Sequence, residues 1–273
     1  IVSMFTLALM VSPAFAATWN AADRVATVGK TIVTKNSLPA KTTFKVVNGT
    51  ANNANTNLTN VIQISSTDLT YAGNDSEVAA VIANEMGHII NGTYSKNQMR
   101  NAAKNAITSK LSSENIISTA ANSEFLANKT SLSDEKAADI TGVDLLAKTG
   151  YNPLAMIVVL GKQPGTTLDI LKSQPNNFRR TMYIYDYLSY NYPSKVKSGY
   201  NCKEYKNFLA YIQPTVNERN SNKAKLAKFE KEQAKLKKER AKQIAKYKAT
   251  GGLNGWDASY TILKNLADSA ETK

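Results

Sequence analysis

The stretch Asn84-Glu85-Met86-Gly87-His88 carries the residues of this chain best placed to do chemistry. Positions 84 and 88 are one helical turn apart and project from the same face, with Glu85 beside them. Two imidazoles at that spacing bind zinc, and the Glu between them is the general base for a metal-bound water. Here position 84 is an amide, and His88 is the only histidine in 273 residues. Any site that needs two or three imidazoles is excluded. A bare Glu-x-x-His is weak evidence, because many unrelated helices contain one on a solvated face.

The surroundings sharpen the signal. In AAVIANEMGHIIN the neighbours are small and apolar, which places Glu85 and His88 on a mostly buried helix where isolated polar side chains are costly. Further along, Glu135 and Asp139 repeat the one-turn spacing in DEKAAD. A lone Glu from a second helix is what a zinc site with two His ligands requires. An acidic first turn favoured by the helix dipole explains the same residues without a metal.

The elements that must position these groups can be read from periodicity and caps. Residues 20–40 read as a short helix and connector, and TTFKVVN (42–48) and NVIQISS (60–66) as strands around a polar turn. Asn74-Asp75-Ser76-Glu77 has capping-box spacing, and a helix runs from there through Val78, Val81, Ile82, Ile89 and Ile90 to Gly92. A polar-faced helical stretch is expected over about 95–128. DEKAADITGVDLLAK (134–148) is a third helix closed by Gly150, with more helix at 153–163 and 177–190. Few strands, placed early among many helices, define an α+β class.

The ends of the chain differ from its middle. IVSMFTLALMVSPAFA (1–16) has the apolar run and Ala-Phe-Ala ending of a secretory signal peptide, read here as truncated at its N-terminus. The expectation is therefore an exported protein, periplasmic or extracellular, without internal disulfides, since Cys202 is the only cysteine. From Asn217 to Lys248 twelve Lys or Arg face four Glu, so this segment carries most of the net charge of +13. Leu226, Phe229, Leu236, Ile244 and Tyr247 form a sparse apolar seam on a long exposed helix. Such a run is either a solvated lysine-rich helix or an electrostatic anchor for an anionic membrane surface or envelope polymer. Nucleic acid is not expected of an exported protein, and the aromatics of this segment, Phe229 and Tyr247, belong to the apolar seam and are not set out among the lysines for base stacking. The division expected is a signal peptide (1–16), a catalytic-type domain (17–200) and a basic helical tail (201–273).

The run EVAAVIANEMGHIIN, the EKAAD motif and the following TGYNP together resemble the gluzincin metallopeptidases of the HtpX, CAAX prenyl protease and BepA group. SQPNNFRR (173–180) is similar to the family's later His-Pro-x-x-x-x-Arg, with Gln174 where the family has His and Arg180 in register. The resemblance spans roughly residues 20–190. It implies a mostly helical zincin-like domain with a small early sheet and an edge strand above the metal, drawn from FKVVN through VIQISSTDL. It implies zinc as cofactor, His88 and Glu135 as ligands and Glu85 as general base. It gives Asp139 the role of orienting a ligand and Arg180 that of an active-site arginine. Asn84 stands where the first ligand His belongs, and an amide oxygen is a neutral, poor zinc ligand. Both departures, Asn84 and Gln174, fall on the chemistry and leave the apolar pattern intact. Three outcomes follow: a working endopeptidase for unfolded envelope proteins, a pseudopeptidase that binds extended polypeptide without cutting, or an envelope protein acting through its tail.

Overall fold

A computed structural model of the chain describes residues 20–53, 56–94, 132–163 and 176–249. Residues 1–16, the helix expected over 95–128, Gln174 and the terminal GGLNG stretch lie outside them. The described part is helical around one parallel strand pair, in keeping with the α+β class.

Helix α1 (Ala21–Lys35) starts at Asn20, whose side chain accepts from the Ala22 and Asp23 amides. It buries Val25, Val28, Ile32 and Val33. Strand β1 (Thr43–Val47) and strand β2 (Val61–Ser65) pair in parallel with Lys45 opposite Gln63, joined by a connection that holds the short α2 (Thr56–Thr59). Ile62 and Ile64 of β2 point into the core. A turn of helix, α3 (Ser66–Leu69), then leads to α4 (Asp75–Ile90).

Helix α4 is the spine of the domain. Asn74 caps it by accepting from the Glu77 amide at 3.1 Å and donating to the Glu77 carboxylate at 2.8 Å. Glu77 is itself buried, and its other oxygen accepts from Gly73 N–H and from Lys162, each at 2.6 Å. Val78, Ile82, Met86 and Ile90 recur at helical spacing and are fully buried, each stabilising by about 1.5–3 kcal/mol. At the other end Asn91 donates to the Gly87 and Ala137 carbonyls and to Thr141, tying the helix end to α5 (Leu132–Ala147).

Two glycines set how closely α4 and α5 cross. A Cβ on Gly87 would stand 2.2 Å from the Ala138 carbonyl oxygen, and one on Gly142 would meet the Ala83 backbone at 3.0 Å. Backbone touches backbone at both points, closer than side chains ordinarily allow. Helix α6 (Ala155–Lys162) is apolar all round and buried, which explains the absence of any polar face in MIVVL. Helix α7 (Asn176–Asn191) packs against α5 and α6, followed by α8 (Pro193–Ser198).

The basic segment is more firmly placed than its composition suggests. After α9 (Lys203–Ser221), helix α10 (Lys223–Ala249) runs with its described lysines exposed. Its inner stripe is Leu226, Phe229, Gln233, Leu236 and Arg240, at alternating spacings of three and four, with Phe229 and Arg240 buried. Arg219 lies 3.9 Å from the Phe229 ring centre and pairs with Asp186 at 2.6 Å. Arg240 pairs with fully buried Asp144 of α5, which also accepts from Tyr187 at 2.8 Å and Tyr192 at 2.7 Å. Asp144 draws the Arg240 guanidinium's pKa up against burial, which lowers it. Within the described residues no helix is long and apolar enough to cross a membrane.

Candidate active-site groove

The close crossing of α4 and α5 brings two one-turn pairs face to face in opposite order. His88 Nε2 lies 3.4 Å from Glu135 Oε2, and Asn84 Nδ2 donates to Asp139 Oδ1 at 2.8 Å. Arg180 of α7 completes the cluster. Its Nε and a terminal nitrogen grip the two Asp139 oxygens at 2.8 Å each, and that nitrogen also reaches Glu135 Oε2 at 3.0 Å. A fork of this kind is the strongest neutralisation a buried carboxylate receives from a side chain. Tyr183, one turn past Arg180, donates to Asp139 Oδ2 at 2.6 Å. Asp139 is completely buried and accepts four hydrogen bonds, which makes it the most tightly fixed group of the site.

Glu85 faces the other way, toward the sheet. Its Oε2 accepts from Tyr94 at 2.6 Å and from Asn53 at 2.8 Å. Burial pushes the Glu85 carboxyl above the ordinary carboxylate range, although His88, Tyr94 and Asn53 pull it down. For His88, burial disfavours the imidazolium, but the hydrogen bond and charge of Glu135, followed by Glu85 and Asp139, outweigh it and leave the pKa raised. The His88 Nδ1 lies 3.4 Å from the Thr93 hydroxyl, and the Tyr94 ring stands edge-on to the imidazole. Asp68 of α3 also lines the cavity, and burial raises its carboxyl too.

All of these groups except Asn53 and Tyr183, which stand behind the wall, line one cavity of about 710 Å³, within the range of ligand sites. Glu85, His88, Glu135, Asp139 and Arg180 form its polar floor. Ala80, Val81, Met156, Val159 and Leu160 form an apolar wall, and residues 49–52 after β1 form the rim. Asn84, Glu85, His88, Glu135, Asp139 and Arg180 are thus all in one place.

Five groups of the site, Thr93 beside His88 among them, had not been singled out in the sequence. Tyr183 follows Arg180 by one turn and Tyr94 follows the glycine turn, so local spacing carried a faint signal for each. Asp68 and Asn53 had none, and Asn53 is one of several similar asparagines in a polar stretch.

A zinc held for catalysis takes three protein ligands and leaves a fourth position for water. Here His88 and Glu135 supply two. Asn84 offers only a neutral amide oxygen, a poor zinc ligand, and the guanidinium of Arg180 sits against the Glu135 oxygen. Among the described residues no group of three His, Cys, Asp or Glu could hold a metal ion. The residues present do not fit a catalytic zinc.

A helix bearing Glu85 and His88, a second helix bearing Glu135 and Asp139, and a short strand before them make up the architecture of a metallopeptidase domain. The chain belongs to peptidase family M48, whose family model matches residues 20–187. Peptidases of this family are generally zinc-dependent. No curated protein and no solved structure matches the chain.

Proposed function

We propose that this protein is an exported metalloendopeptidase homologue whose groove binds extended polypeptide and whose zinc-dependent peptide-bond hydrolysis is weak or lost. The observation that carries this reading is the Asn84–Asp139 hydrogen bond. It keeps the contact that would orient a ligand at position 84 and removes the ligand itself. Losing a supporting partner of a metal ligand typically costs about 10–100-fold in affinity or activity, and losing the ligand should cost more. What remains is a cavity with an apolar wall for a side chain and a polar floor held rigid by Asp139 and Arg180. Glu85 retains the place of a general base, and its Oε1 accepts no hydrogen bond from the described residues.

Export is supported by the apolar run and Ala-Phe-Ala ending of residues 1–16. The exposed lysines of α10 support a peripheral attachment to an anionic membrane surface or envelope polymer. Binding to anionic vesicles should be strong at low salt and fade as salt rises, with none on neutral vesicles. Equal binding to both would dismiss the anchor.

The test of the main reading has two arms on the purified protein. Zinc content and cleavage of an unfolded substrate such as casein should both be near background. Fluorescence anisotropy should show an extended peptide binding all the same. Stoichiometric zinc with robust, chelator-sensitive cleavage would overturn the loss of catalysis, and absence of any peptide binding would overturn the groove.

A further inference from the structure

The outward face of α10 carries its lysines in a pattern that a merely solvated helix has reason to avoid. Lys228, Lys231, Lys235, Lys238 and Lys242 follow one another in alternating steps of three and four residues, and all are exposed. Such steps keep them on one line along the helix, drifting by only about 20° per heptad. At a helical rise of about 1.5 Å per residue, the charges stand about 5 Å apart in a row about 21 Å long. Each lysine is thus the helical neighbour of the next, and like charges at that spacing oppose the helix. Glu232 and Glu239 border the row on one side, and Ala227, Ala234 and Ala245 on the other. Lys235 reaches Glu239 at 3.8 Å, on a surface so exposed that the pair offsets little of the repulsion.

The row is also held in place from behind. On the opposite side of α10 the Phe229 ring stands edge-on to Tyr190, with 6.1 Å between centres, and Arg240 is buried in its pairing with Asp144. Phe229 and Leu236 therefore belong to the packing of the domain. Between Lys228 and Lys242 the exposed residues include nothing apolar larger than alanine. A helix that settles into a membrane interface buries an apolar face there, and stable anchoring takes a second signal besides a polybasic patch. This face offers the charge without the second signal.

We infer that the lysine row is a binding site for a single linear polyanion, an envelope polymer of the phosphodiester kind, laid along α10. The inference rests on the attachment through α10 proposed above and decides between its two surfaces. A linear polymer lays successive charges against successive lysines and relieves the repulsion along the whole row. A bilayer presents mobile headgroups in no register with it. The row contains lysine and no arginine. A lysine ammonium is a point charge on a flexible stem, so it meets separate phosphates on a flexible chain without demanding one geometry. The packed helix assembles the charges before the polymer arrives, which lowers the ordering cost of binding.

The test uses the full chain and fluorescein-labelled oligomers of poly(glycerol phosphate). Fluorescence anisotropy should show affinity rising with oligomer length until the oligomer spans the row, and levelling beyond it. With roughly 0.7 counterions released per lysine, the full row should give a slope of about −3.5 in log affinity against log salt. Exchanging Lys231→Glu with Glu232→Lys breaks the row at unchanged composition and net charge. It should weaken binding by about tenfold or more and flatten the slope, with the circular dichroism spectrum unchanged. Phosphatidylglycerol vesicles should hold the protein at low salt and release it at a salt where the polymer stays bound. Oligothymidylate of equal charge should bind no more tightly than the polymer, because the row has no aromatic for base stacking. If the exchanged variant binds the polymer as the parent does, net charge alone suffices and the row is overturned. Vesicles that hold the protein at higher salt than the polymer does, or an oligonucleotide bound more tightly, would each overturn the envelope polymer as partner. Loss of binding to polymer and vesicles alike at low salt would overturn the attachment proposed above as well.

Discussion

Restoring histidine at position 84 tests the reading of the site most directly. Asn84 Nδ2 donates to Asp139 Oδ1 at 2.8 Å, and Asp139 is held there by Arg180 and Tyr183. In Asn84→His the imidazole Nδ1–H can take over that donation, which fixes the tautomer and leaves Nε2 unprotonated for a metal. With His88 and Glu135 the site then has three protein ligands. At zinc 100-fold above the dissociation constant, binding to the folded state stabilises by about 2.7 kcal/mol. For a domain of this size roughly 1 kcal/mol moves the melting midpoint by about 2–4 °C, so the expected zinc-dependent rise is about 5–11 °C. If the parent binds about 1,000-fold more weakly, the same zinc gives it under about 0.1 kcal/mol and no measurable shift. Differential scanning calorimetry of parent and variant, with and without zinc, reads the difference. It should be run well above the ordinary imidazole range, because the raised His88 pKa lets protons compete with the metal. A folded Asn84→His variant with no zinc-dependent shift would refute the decayed metal site. Any hydrolysis gained should vanish on adding Glu85→Gln.

Three other outcomes follow from the packing. Arg240→Ala strands the fully buried Asp144 carboxylate and should cost about 3–5 kcal/mol in urea unfolding. Pairing Arg240→Met with Asp144→Asn should recover much of that loss. Gly87→Ala drives a methyl group into the Ala138 carbonyl and must push α4 and α5 apart. It should lower the melting midpoint by several degrees and, in the Asn84→His background, weaken zinc binding, whereas Gly150→Ala, with open space around it, should do neither. Glu85 has a folded pKa above its unfolded one, so its contribution is fully present below the ordinary carboxylate pKa and is lost as pH rises through the folded value. Denaturant melts should therefore show Glu85→Gln gaining stability relative to the parent from about pH 4 upward and staying level below it.

The sequence by itself determined the local features. Asn74 and Glu77 mark the start of α4 because a cap forms within one turn, among residues already adjacent. The strands at 43–47 and 61–65, and the helices at 132–147, 155–162 and 176–191, fall within a few residues of where periodicity and turn signals put them. The one-turn pairs 84/88 and 135/139 were legible for the same reason, since helical geometry alone puts each pair on one face. Which pair meets which was not legible. The contacts of Asn84 with Asp139 and His88 with Glu135 depend on how deeply two helices interlock. That depth is set by the missing side chains of Gly87 and Gly142, and no short-range pattern reports it. The basic segment shows the same limit. Its lysines announced a solvated face, but Arg240 is a cation drawn inward by a buried carboxylate 96 residues away. Asn53 is the extreme case. Nothing separates it from the asparagines around it until the chain folds β2 and α4 to either side of its carboxamide. Hydrogen bonds between distant residues are decided by the packing that brings them together, and only the tertiary structure contains that packing.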